Sequence, residues 1–117
     1  MRRVILSLLL IEAVTFIAAA AVHAGILIEG YEHREARIAE TVIAIVLVGG
    51  WIAARLRPSR IRAAGVIAQG FALFWTLVGV GTIAAGIGPQ SVLDIAYHIG
   101  IVVILLWGLT VAARTRV

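Results

Sequence analysis

The chain has 117 residues, of which 62% are hydrophobic and 14% are charged. This balance is far more apolar than that of a soluble globular domain and predicts a protein that lies mainly in lipid. One transmembrane helix needs about 20 mostly apolar residues, so four spans with short connections use nearly the whole length. The sequence therefore indicates a single membrane domain over residues 1–117, with no room for a soluble domain beside it.

The charged residues exclude several kinds of chemistry. All ten basic residues are Arg and Cys is absent, which excludes lysine Schiff bases, disulfides, thiolate metal sites and iron–sulfur clusters. The formal net charge is +4, but the arginines stand beside apolar segments rather than on a soluble surface. They are best explained as a signal of membrane topology, and no nucleic-acid partner is expected.

Four apolar segments are predicted to form transmembrane helices, approximately over residues 4–28, 36–54, 63–87 and 92–113. Gly or Pro lies in each of the three connections, including Pro89 in the third. Ser91 is well placed to cap the fourth helix. Short connections make sequential helices antiparallel, so the predicted fold class is an all-α integral membrane protein, a four-transmembrane-helix bundle.

The placement of arginine predicts the orientation of this bundle. Eight arginines fall at one end, namely Arg2, Arg3, Arg55, Arg57, Arg60, Arg62, Arg114 and Arg116. The positive-inside rule makes that end cytoplasmic, so both termini are expected in the cytoplasm of a multi-pass protein of the cytoplasmic (inner) membrane. The N-terminal segment also resembles a signal peptide, but Glu12 interrupts its apolar region and favours a retained first span.

Three ionisable residues are predicted to lie at one depth below the extracytoplasmic face. His23 precedes the end of the first span, while Glu40 and His98 follow the starts of the second and fourth spans. At about 1.5 Å per residue, their depths are all roughly 6–9 Å. Asp94 shares a helix face with His98, and Glu12 shares one with His23. Because ionisable groups facing lipid are costly, these faces are expected to point into the bundle.

Imidazole and carboxylate groups at one level form a ligand set for a transition metal ion such as zinc, iron or copper. The first hypothesis is a metal site held by His23, Glu40 and His98, serving redox, hydrolytic or ion-handling chemistry. Asp94 would be a fourth ligand or would orient an imidazole. His33 is a further candidate, although solvation in the charged first loop explains it more simply. The sequence identifies neither the metal nor a small-molecule ligand, and it gives no evidence for turnover.

Two other functions stay open at this point. His23 and His98 could be the axial ligands of a b-type haem in a membrane cytochrome. Alternatively, the polar residues could serve helix association in an accessory or structural subunit, in a homo-oligomer or a larger membrane complex. Simpler roles also exist, because Glu40 could pair with Arg37 and Asp94 could cap the fourth helix.

A second polar level is predicted nearer the cytoplasmic half of the bundle. Glu12 in the first span and Gln69 in the third are expected to form an intramembrane polar pair. This pair is either a satisfied contact between helices or a step in a proton or ion path. No phosphate-binding loop or nucleophile motif is present, which excludes an ordinary soluble hydrolase or nucleotide enzyme.

Overall fold

The computed structural model describes residues 1–88 and 90–117, so Pro89 in the third connection lies outside the described residues. Within the described part the chain is all-helical. The four α-helices are α1 (Arg2–His23), α2 (Arg34–Leu56), α3 (Ile61–Ala84) and α4 (Val92–Arg114), and a short 3₁₀-helix, Pro58–Arg60, precedes α3. Each of the four α-helices is long and apolar enough to cross a membrane.

The first helix ends at His23, earlier than the predicted end at residue 28, because a glycine motif closes it. Gly25 has a φ of +78°, a left-handed conformation that ends an α-helix at little cost for glycine. The Gly25 N–H donates to the carbonyl of Val22, and the Ile26 N–H donates to that of Ala21. These are the paired bonds of a Schellman motif, and they turn the chain away from the helix axis directly after His23.

The third helix ends in the same way, at Ala84 rather than at the predicted residue 87. Gly86 has a φ of +76°, and its N–H donates to the carbonyl of Ile83 while the Ile87 N–H donates to that of Thr82. Both glycine motifs lie at the same end of the bundle, since α1 and α3 run in the same direction. At this end of the bundle, two of the four helices are therefore shorter than their apolar segments suggested.

Polar side chains begin the other two helices at that end. The Ser91 hydroxyl accepts a hydrogen bond from the backbone N–H of Asp94 at 3.1 Å, which confirms the predicted cap of α4. His33 caps α2, because its Nδ1 accepts from the N–H of Ala36 at 3.0 Å. His33 therefore precedes the second helix instead of lying within it.

The helices pack in an up-down order. α1 packs mainly on α2, α2 also on α3, and α3 also on α4, with a smaller contact between α1 and α4. Leu9, Leu47 and Leu105 are fully buried where the helices meet, and small residues such as Ala68 and Ala72 let α3 approach its neighbours closely. The molecule measures 44 × 25 × 17 Å along its principal axes.

The two ends of the bundle carry different connections. The arginine end carries both termini and the connection between α2 and α3, with the eight arginines named above. The loop end carries the connections between α1 and α2 and between α3 and α4.

Candidate functional site

The site at the loop end is built around His23, the last residue of α1. Its side chain is buried, with 5% of the residue exposed. The Schellman motif bends the chain directly after it, and the N–H of His33 then donates to the carbonyl of His23 at 2.9 Å. This bond ties the start of α2 to the end of α1, so the first connection is held against the site.

Both ring nitrogens of His23 contact carboxylates from other helices. Nδ1 lies 2.5 Å from Oε1 of Glu40 in α2, and Nε2 lies 3.1 Å from Oδ1 of Asp94 in α4. Both carboxylate residues are buried, each with 6% exposed. A carboxylate can only accept, so either the imidazole is doubly protonated or one carboxyl group supplies a proton. The Glu40–His23–Asp94 cluster therefore joins three helices through shared protons.

Asp94 is held in place by its own helix terminus. Ser91 accepts from the Asp94 backbone N–H, and its hydroxyl also contacts Oδ2 of the Asp94 carboxylate. The carboxylate thus uses one oxygen for Ser91 and the other for His23. The cap predicted for Ser91 is therefore also a positioning contact for the site, which the sequence did not reveal.

The other two histidines lie close to the cluster but make different contacts. His98 donates its Nδ1–H to the backbone carbonyl of Asp94 at 2.7 Å, and its Nε2 faces Gly79, where a Cβ atom would lie 3.2 Å away. The ring of His33 packs edge-on to that of His23, with centroids 6.3 Å apart. Neither ring hydrogen-bonds to His23, and Glu40 pairs with His23 rather than with Arg37.

A cavity of about 410 Å³ opens beside the cluster, and all four helices contribute to its wall. Aromatic rings form much of that wall, with Phe16 from α1, Trp75 from α3 and Tyr97 from α4. Glu40 and His98 supply polar groups. The Tyr97 hydroxyl is buried without a hydrogen-bond partner among the described residues. An apolar cavity with a few convergent polar groups is the usual form of a small-molecule site.

The arrangement does not fit the metal site predicted from the sequence. A ring nitrogen can coordinate a metal only if it gives up its hydrogen bond, and the two nitrogens of His23 point to opposite sides, toward Glu40 and Asp94. Among the described residues, no group of three or more His, Cys, Asp or Glu side chains is placed to hold one metal ion. The metal site stays a prediction that requires His23 to change partners.

The haem alternative meets the same difficulty. An axial pair needs one free ring nitrogen on each histidine. His98 keeps Nε2 free of the hydrogen bonds found among the described residues, whereas both nitrogens of His23 contact carboxylates. The arrangement therefore gives no support to a haem held by His23 and His98.

The second predicted polar level is present in the core. Glu12 and Gln69 are both fully buried, with 0% of either residue exposed. Both approach Gly108 of α4, where a Cβ atom would overlap Oε1 of Gln69 and lie 2.8 Å from Oε1 of Glu12. Glu12 and Gln69 therefore lie beside the same glycine, on the inner faces of α1 and α3.

Sequence reasoning did not identify several of the cavity residues, among them Phe16 and Thr76. Phe16 lies seven residues before His23, and Thr76 lies seven after Gln69, so each shares a helix face with a residue that was singled out. Extending those faces by two turns would have found both.

Comparisons with protein-family models, with curated proteins and with solved structures found no match to this chain. The function must therefore be argued from the residues of the site.

Proposed function

We propose that the chain is a multi-pass membrane protein that binds small organic cations with apolar bodies in the cavity at its loop end. Helices of 22 to 24 residues measure about 33–36 Å at 1.5 Å per residue, enough to cross a hydrocarbon core of about 30 Å. Large apolar side chains, including Ile11, Val14 and Ile17 of α1, are more than half exposed, as contact with lipid requires. The arginine end faces the cytoplasm by the positive-inside rule.

The observation that carries the proposal is one imidazole that contacts two buried carboxylates beside the cavity. His23 and Glu40 lie in the cavity wall, and Asp94 contacts His23 from outside the lining. His23 can carry one positive charge, whereas Glu40 and Asp94 together can carry two negative charges. No arginine lines the cavity within the part of the chain that the structure describes. The fully ionised cluster is therefore net negative, and either a further proton or a bound cation neutralises it.

The remaining wall favours an organic cation with an apolar body. Phe16, Trp75 and Tyr97 offer ring surfaces, and such rings attract cations as well as apolar groups. The free Tyr97 hydroxyl and the Nε2 of His98 give the ligand hydrogen-bonding partners. The cavity volume of about 410 Å³ lies within the usual range for small-molecule sites.

Binding of benzyltrimethylammonium to the protein purified in dodecyl maltoside tests the proposal by isothermal titration calorimetry. Its charge is permanent, so any pH dependence comes from the protein. We expect binding that is tighter at alkaline than at acidic pH, because the cation replaces a proton. Glu40→Gln should weaken binding about tenfold or more, a loss of about 1.4 kcal/mol. Glu29→Gln, a change at an exposed carboxylate of the first connection that does not line the cavity, is the matched control and should leave binding intact.

Several outcomes separate the proposal from its competitors. Neopentylbenzene has the same shape without the charge, so equal binding of this analogue would contradict cation recognition, as would unchanged binding in Glu40→Gln. Mass spectrometry of bound metals and a visible spectrum should accompany the titration. A stoichiometric metal that is lost in His23→Ala would support the predicted metal site instead, and a Soret band would support haem.

A further inference from the structure

Glu12 and Gln69 form a polar site in the core that the loop-end cavity does not include. Glu12 lies eleven residues before His23 on α1, about 16 Å away along the helix. Apolar side chains lie between the two levels, including the buried residues Ala13 and Phe16. Any function of Glu12 therefore rests on observations that are independent of the proposed cation site.

Three buried oxygen atoms at this level lack hydrogen-bond partners in the described part of the chain. Gln69 donates its Nε2–H to the carbonyl of Gly65 at 3.1 Å, and its Oε1 is one of these three atoms. Both carboxyl oxygens of Glu12 are also buried without a hydrogen bond among the described residues. The ion pairs within 4 Å among the described residues are His23–Glu40, His23–Asp94 and His33–Glu35, so none of them includes Glu12.

The close approach to Gly108 shows that these oxygens share one small space. Oε1 of Gln69 and Oε1 of Glu12 both lie beside the position where Gly108 lacks a side chain. If Glu12 were ionised, its carboxylate and the amide oxygen of Gln69 would be two hydrogen-bond acceptors that face each other without a donor between them. The charge would also be buried without a counterion and without water contact. A single proton on Glu12 removes this conflict, since the carboxylic acid then donates to Oε1 of Gln69.

We propose that Glu12 is a proton-binding carboxyl group of the bundle core, which keeps its proton and donates a hydrogen bond to Oε1 of Gln69. The ligand of this site is a proton rather than a metal ion, because hard divalent cations take about six or more oxygen ligands, whereas the described residues supply three unpartnered oxygens here. Gly108 is required for the site, since any side chain there would occupy the space that the two oxygens share.

Infrared difference spectroscopy of the purified protein at neutral pH tests this assignment. The spectrum of the wild type minus that of Glu12→Gln should contain the C=O stretching band of a carboxylic acid. The amide of Glu12→Gln can donate to Gln69 as the acid does, so this variant is expected to fold. In Gln69→Leu the acid band should persist and shift to higher wavenumber, because the C=O band of an acid that has lost its hydrogen bond lies higher.

Exposed Glu35 supplies the matched control. The spectrum of the wild type minus that of Glu35→Gln should contain carboxylate bands instead of an acid band, because the Glu35 side chain is 81% exposed. Carboxylate bands in the Glu12 difference spectrum would overturn the proposal. So would conversion of the acid band to carboxylate bands by added sodium or lithium chloride, which would make the ligand a metal cation. If Glu12→Gln fails to fold, an unshifted acid band in Gln69→Leu would equally contradict the assigned hydrogen bond.

Discussion

Replacement of His23 by alanine should be among the most destabilising single changes at the loop end. His23 is 5% exposed and contacts the buried carboxylates of Glu40 and Asp94 at 2.5 and 3.1 Å. Removing one partner of a buried ion pair costs about 3–5 kcal/mol, because the remaining charge is left unpaired in a medium of low polarity. We expect a decrease of that size in the free energy of unfolding, measured by tryptophan fluorescence as dodecyl sulfate is added to mixed micelles.

His33→Ala is the matched control, since His33 lies at the same end and its ring packs against that of His23. Its loss removes one capping bond, which costs about 1 kcal/mol. Neutralising both carboxylates with Glu40→Gln and Asp94→Asn in the His23→Ala background should recover part of the stability, because the penalty lies in their unpaired charges. A His23→Ala cost no larger than that of His33→Ala, or no recovery in the triple variant, would refute the reasoning.

Two further stability predictions use the same assay. Gly50→Ala should cost about 1–3 kcal/mol by overpacking, because its Cβ would lie 2.6 Å from the Cβ of Ala68 and would force α2 and α3 apart. Gly49→Ala is the control, since a Cβ there would meet nothing within 4 Å among the described residues. It should leave the stability unchanged or raise it by up to about 1 kcal/mol through helix propensity. Equal effects at the two positions would contradict the packing argument. Ser91→Ala should cost about 1 kcal/mol, because α4 loses its cap. Ser91→Thr keeps the hydroxyl that accepts from the Asp94 N–H, so this variant should retain most of the stability.

The number and order of the helices could be predicted because each apolar segment is long enough to cross a bilayer and each connection is polar or contains Gly or Pro. Two helix ends could not be predicted. Apolar residues continue to residue 28 after α1 and to residue 87 after α3, so hydropathy places no boundary at Gly25 or Gly86. The chain contains 12 glycines, and only their backbone conformation distinguishes those that end a helix from those that pack inside one.

The early end of α1 also explains why Asp94, rather than His98, contacts His23 from α4. A first helix that ended at residue 28 would place His23 about five residues below the surface, level with His98. Because α1 ends at His23, its ring lies instead at the level of the first turn of α4, where Asp94 is. That ionisable side chains from three helices meet inside the bundle could be predicted, because their exposure to lipid costs free energy. Whether His23 contacts Asp94 or His98 could not be predicted, because these two residues lie only one helical turn apart.

The position of the cluster at helix ends bears on where its proton resides. His23 lies in the last turn of α1, where the helix dipole favours positive charge, and Asp94 lies in the first turn of α4, where the dipole favours negative charge. Both dipoles thus favour an imidazolium between two carboxylates over a neutral ring beside a carboxylic acid. One positive charge then opposes the charges of Glu40 and Asp94, which leaves the cluster beside the cavity with a residual negative charge. Since no described arginine lines that wall, a cationic ligand is the partner that this arrangement of helix ends favours.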